Sequence, residues 1–191
     1  WARVHDLLQL SARGGRWTNF GPVQHHLVQI IARMLDLDAS RTVISASSAS
    51  SALFALVGAH AAEAGRPLVW AISAYGFYST AIGPLAGRVR IVDCDKSGMI
   101  DVSALEALPA DSWDGLIVTD LFCSHPDFSE LSRLCATAGK SMIIDSAVSF
   151  PAHRSASVRA NEIVSFHHTK PWGFGEGGCA IVDASMAEKV R

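Results

Sequence analysis

The chain has 191 residues, enough to bury one sizeable core, and its 49% hydrophobic and 18% charged content is that of an ordinary globular domain. A formal charge of −2 gives no electrostatic footprint for nucleic acid or an anionic membrane, and no apolar run reaches transmembrane length. No secretory leader opens the chain, and Cys94, Cys123, Cys135 and Cys179 form no C-x-x-C pair, so they read as buried thiols in a reducing cytoplasm, with no metal site.

In chain order, residues 1–20, with Gly14-Gly15 and Trp17-Thr18-Asn19-Phe20, read as an N-terminal arm or loop, and residues 21–191 as one domain. Pro22 suits a first helical turn, and Val23, Leu27, Ile30, Ile31 and Met34 follow at helical spacing. Residues 41–45 read as a strand, 46–51 as a small-residue turn, and 52–64 as a nearly all-apolar helix stopped by Gly65. Strand, turn and helix N-terminus together make an anion site, although a serine-rich helix cap fits the same residues.

A strand over 67–72 leads into the aromatic cluster Tyr75, Phe77 and Tyr78, then a helix bent or shortened by Gly83-Pro84. Residues 89–92 and 116–118 are further strands. Asp93, Asp95 and Asp101 lie between them and read as turn and cap residues, because the calcium-loop pattern is missing. A helix is expected from Asp127, with Glu130 at capping-box spacing and Gly139 as its stop. His125, in the loop before it, is a weak candidate for a substrate contact. The pairs His25-His26 and His167-His168 are poor chelators on regular elements, where neighbouring side chains point apart. Alternating strands and helices with short connections argue for an α/β fold, a mainly parallel sheet covered on both faces.

Two strand ends carry chemistry. The run 141–144 delivers Asp145, and the run 162–166 leads to Lys170 before Gly173, Gly175, Gly177 and Gly178, where a ligand can approach the backbone. An amine held at the end of a buried strand loses solvation, which favours its neutral, nucleophilic form. Lysine for an aldehyde and aspartate for a pyridinium nitrogen are what a pyridoxal 5'-phosphate (PLP) enzyme needs.

Ser165 to Gly178, S-F-H-H-T-K-P-W-G-F-G-E-G-G, is similar to the Schiff-base motif of the DegT/DnrJ/StrS sugar aminotransferases, and further blocks match in order from about Trp17 onward. The resemblance implies the large domain of a fold-type I PLP enzyme, a three-layer α/β/α unit whose relatives continue into a smaller C-terminal domain that nothing in this chain matches. It implies Lys170 as tether and acid/base, and Asp145 on the ring nitrogen. Ala49, Ser50, Ser51 and Ser165 fall at the phosphate, and Phe77 against the ring. It further implies a cytoplasmic homodimer passing an amino group from an amino acid to a keto-sugar, nucleotide-linked. Ala49 replaces the family's glycine, Ser50 its threonine, and Val148 a glutamine that contacts the cofactor's phenolic oxygen. Lys170 itself argues against the dehydratase branch, where histidine takes its place. Val148 keeps a second reading open, elimination or replacement on an amino acid, and a third is a non-catalytic binding or regulatory domain.

Overall fold

The structure is a computed structural model and describes residues 2–121, 124, 126–149, 158, 160–173 and 175–191. Seven strands form one sheet: β1 (Arg41–Ala46), β2 (Trp70–Ser73), β3 (Val89–Val92), β4 (Gly115–Thr119), β5 (Ser141–Asp145), β6 (Asn161–Ser165) and β7 (Gly178–Asp183). Their spatial order is β1-β7-β6-β5-β4-β2-β3. Neighbours from β6 to β3 pair in parallel, whereas β7 runs antiparallel to both β6 and β1. Six strands therefore point one way, and their C-terminal ends share one edge.

Alternating side chains divide the core between two faces. Ile44, Ile72, Ile117, Ile143 and Ile163 meet Leu53, Leu56 and Val57 of α3 (Ala49–Ala64) on one face. Leu116, Val118, Met142 and Ile144 meet Leu131 and Cys135 of α5 (Ser129–Thr137) on the other. On that second face Val43, Val164 and Ile181 pack on Ile31 of α2 (Pro22–Met34). The three layers expected from the sequence are present. A short helix, α4 (Val102–Glu106), is capped by Asp101, whose carboxylate accepts the Ala104 N–H at 3.0 Å. Asp95 likewise accepts from Ser97 and Met99, so these acids serve a turn and a cap, as read.

Five boundaries differ from the sequence reading. Residues Ala2–Gly14 form a helix, α1, rather than an irregular arm. Good helix formers dictate it locally, for Ser11 is its only buried residue and Val4, Leu8 and Leu10 remain exposed. Helix α3 starts three residues earlier than expected because Ser48 and Ser51 close a reciprocal capping box. No regular α-helix follows Phe77; two 3₁₀ turns, Tyr78–Ala81 and Gly83–Leu85, stand there instead. Ile82 between them is extended, so the turns cannot merge. Helix α5 begins at Ser129, because the Asp127 carboxylate accepts the Ser129 N–H at 2.9 Å and Phe128 is locked in the core at 1% exposure. Strand β2 begins at Trp70 rather than Pro67, and the Val69 N–H before it is claimed by Asp114.

Cys94, Cys135 and Cys179 are free thiols, and burial pushes Cys135 and Cys179 up to about 12, which makes both inert at neutral pH. Cys123 lies outside the described residues. No helix among the described residues is long and apolar enough to cross a membrane.

Candidate active site

The C-terminal edge of the parallel strands gathers most of the residues singled out above. Ser165 closes β6 and pairs with Gly178, which pairs on its other side with Ala46 at the end of β1. A Cβ at Gly178 would lie 2.5 Å from the Ala49 nitrogen and 2.8 Å from the Val164 carbonyl oxygen, so only glycine lets the start of α3 press onto β7. That contact sets Ser165 beside the first turn of α3. Gly178→Ala is expected to destabilise the fold by about 1–3 kcal/mol. A thermal melt should register this as about 2–4 °C per kcal/mol.

Within that first turn the donors are unequally committed. The Ser51 N–H bonds to the Ser48 hydroxyl at 3.1 Å, and the Ser48 N–H bonds to the Ser51 hydroxyl at 2.9 Å. Among the described residues, the N–H groups of Ala49 and Ser50 and the Ser50 hydroxyl have no partner. The unclaimed donors of the expected phosphate site are therefore Ala49 and Ser50, while Ser51 closes the cap. The Ser165 hydroxyl accepts the His167 N–H at 3.3 Å and keeps its own proton free to donate.

Asp145 ends β5 and is 2% exposed. One carboxylate oxygen accepts the Ala147 N–H at 3.0 Å, and the Asp145 carbonyl accepts the Asp120 N–H at 2.9 Å. Burial raises its pKa above the ordinary carboxylate value; the Ala147 bond and the Lys170 charge pull the other way without overcoming it. Among the described residues no cationic side chain forms an ion pair with this carboxylate. Directly after it, the Ser146 hydroxyl donates to Glu162, a carboxylate only 5% exposed within β6. Sequence reading missed Glu162, whose one signal is an acid inside an apolar strand.

Lys170 is half-buried in a turn beyond β6, where its N–H donates to the His167 carbonyl at 2.8 Å. The turn is tight: a Cβ at Gly173 would overlap the His167 carbonyl oxygen. Its side chain reaches across to Phe77, with Nζ 5.4 Å from the ring centroid. Phe77 is 49% exposed, as are Tyr75 and Trp172 at 52% and 50%. The site is thus an open shelf walled by aromatics. One groove lies elsewhere, between α1 and α2, lined by Arg3, Leu7, Leu10, Arg13, His26 and Ile30, and another is lined by His25, Ser45, Ala46, Ser47 and Ala52 beside the start of α3. His25 and His26 face different grooves, as expected of helix neighbours. His167 and His168 do not diverge in this way; their ring centroids are 4.2 Å apart. His125 lies outside the described residues, and Val148 sits in the turn after Asp145.

The residues fit PLP on observations of this structure. Among the described residues, two orphan amides and a hydroxyl at a helix N-terminus suit a phosphate, and a buried carboxylate with no ion-pair partner suits a protonated ring nitrogen. The model of the DegT/DnrJ/EryC1/StrS aminotransferase family matches residues 2–191. The chain belongs to this family.

Solved structures with the same fold include DesI, crystallised with its TDP-sugar product, at 19% identity and a TM-score of 0.79 over 100% of this chain and 49% of that one. A DegT/DnrJ/EryC1/StrS aminotransferase from Brucella abortus is 23% identical, with a TM-score of 0.76 over 100% of this chain and 55% of its own. The E. coli GDP-4-keto-6-deoxy-D-mannose-3-dehydratase with bound hydrated PLP is 20% identical, with a TM-score of 0.73 over 94% and 48%. This family member spans about half the length of those structures, and its sheet, including the antiparallel β7, is the fold-type I large domain.

Proposed function

We propose that the protein is a PLP-dependent aminotransferase that moves an amino group from an amino acid to a nucleotide-linked keto-sugar. The observation that carries the reading is the pairing of Lys170, its Nζ 5.4 Å from the Phe77 ring centroid, with the buried Asp145 at a neighbouring strand end. A TDP-sugar product in one relative and a nucleotide-linked keto-sugar name in another support the substrate class. Residues 21–191 would form the cofactor-holding large domain, in a cytoplasmic homodimer whose further segments complete the sugar site.

When bound, PLP supplies an electron sink for the pair left behind as the donor's α-carbon loses its proton. The chain's residues do the rest. Lys170 Nζ would hold the cofactor at its aldehyde carbon and would carry the donor's α-proton. Asp145 holds a proton on the ring nitrogen, and Phe77 covers one ring face and keeps water off it. The Ala49 and Ser50 amides with the Ser50 and Ser165 hydroxyls bind the phosphate, and Ser51 keeps them in place through its bonds to Ser48.

A hydrogen bond to a charged group contributes about 1.5–3 kcal/mol. Ser50→Ala should therefore weaken PLP binding by roughly 10- to 100-fold in a fluorescence titration, with little change in the melting temperature of the cofactor-free protein. Elimination on an amino acid is the competing chemistry, favoured by Val148 standing where relatives carry glutamine. Single-turnover spectra with an amino donor decide: transamination leaves the cofactor in its amine form, and elimination returns the aldehyde. Borohydride reduction followed by peptide mapping of the natural-length protein tests the tether. A phosphopyridoxyl adduct away from Lys170, or no uptake of PLP, would remove the catalytic reading and favour a binding or regulatory domain.

A further inference from the structure

The two imidazoles that follow β6 converge because the chain there is not a regular element. His167 bridges to Gly175, the His168 N–H donates to the Gly175 carbonyl at 2.8 Å, and the Gly173 N–H donates to the Lys170 carbonyl at 2.8 Å. These bonds bring His167, His168 and Gly173 back against Lys170 and Gly175, and place Glu176 near both histidines. One ligating atom from each of His167, His168 and Glu176 lies within 4.8 Å of the others, and His167 Nε2 stands 3.4 Å from Glu176 Oε1. From this geometry we infer that His167, His168 and Glu176 form a binding site for a single divalent transition-metal ion of the Zn²⁺ class, on the same turn that presents Lys170.

The donor set selects the ion. Two imidazole nitrogens and one carboxylate oxygen suit Zn²⁺ and its neighbours, whereas Mg²⁺ and Ca²⁺ require mostly oxygen. Three protein ligands leave one position open to water. Metal–ligand bonds of about 2.0–2.1 Å place tetrahedral ligand atoms about 3.4 Å apart. The side chains must close from the present separation, and His168 and Glu176 are exposed and free to do so. His167 is already oriented: its Nδ1 accepts the Thr169 N–H at 3.3 Å and lies 2.8 Å from the Thr169 hydroxyl, which turns Nε2 toward Glu176; an ion at Nε2 requires the ring proton on Nδ1, where the Thr169 hydroxyl can accept it. The tight turn at Gly173 holds the backbone under both rings.

Isothermal titration of the full chain with ZnCl₂ and, separately, MgCl₂ tests the site, with Co²⁺ absorption as a report on coordination. One equivalent of Zn²⁺ should bind at least about 100-fold more tightly than Mg²⁺. His168→Ala and Glu176→Gln should each weaken it at least about tenfold, because loss of even an outer partner costs that much. A His25→Ala/His26→Ala double variant should bind as the parent does. Both tested side chains are solvent-exposed, and circular dichroism confirms that the variants fold. Absence of saturable Zn²⁺ binding, or affinity unchanged in both His168→Ala and Glu176→Gln, overturns the inference and leaves a surface histidine–glutamate pair. Metal uptake is read without PLP, so either result leaves the assignment of Lys170 to be decided by its own adduct experiment.

Discussion

Lys170→Ala should abolish the borohydride-fixed phosphopyridoxyl adduct and lower kcat by at least about 10⁴-fold, the upper end of what one positioned acid–base group contributes. The loss is expected to be compound, because the proposed role makes the same amine tether and proton carrier. Lys170→Arg should be nearly as inactive, since a guanidinium keeps the charge without offering a nucleophile. The fold should not notice either change: Lys170 is half-buried in a turn, and substitutions away from the core move stability by about 0.5 kcal/mol or less. Retention of more than about 1% of turnover in Lys170→Ala would contradict the assigned role. Partial recovery by added primary amines would strengthen it.

Asp145→Asn is expected to reduce kcat by about 10²–10³-fold, the scale seen when one preorganised electrostatic contact to the reacting group is removed. PLP affinity should fall far less, because the phosphate contacts remain. The opposite effect is expected on the cofactor-free protein. Burial raises the carboxyl of Asp145 above its ordinary value of 3.8, so the unfolded chain releases this proton at lower pH than the folded one. Stability from this group is therefore fully present below 3.8 and declines as pH rises toward the raised folded value. An amide does not ionise, so Asp145→Asn should melt higher than the parent at pH 7 and no higher at about pH 3. A carboxylate kept at a cost to the empty fold is one held for a ligand. Equal melting temperatures at both pH values would contradict that account.

Much of this was legible in the sequence because it is encoded within short segments. Val43-Ile44, Leu116-Ile117-Val118 and Ile143-Ile144 read as strands buried on both faces, and their alternation with helices implied the layers. The lysine turn was legible because Gly173 and Gly178 stand where the backbone passes too close to other chain for any side chain. Local rules also failed locally. Gly14-Gly15 marks only the end of the first helix and says nothing of the helix before it, and the serine run at the start of α3 is a cap only through the Ser48–Ser51 hydrogen bonds, which composition does not show.

The sequence by itself determined the alternation of strands and helices, the identity of the family, and the presence of Lys170 and Asp145 at strand ends, because periodicity and short motifs are local properties. Only the tertiary structure decided that β7 inserts in reverse between β1 and β6, which brings Ser165 beside Ala49 and Ser50. It also decided that Glu162 reaches Ser146 beneath Asp145, and that His167 and His168 meet Glu176. These depend on strand register and on backbone hydrogen bonds in an irregular turn. Both are set by which distant segments pack together, a relation that no short stretch of sequence carries.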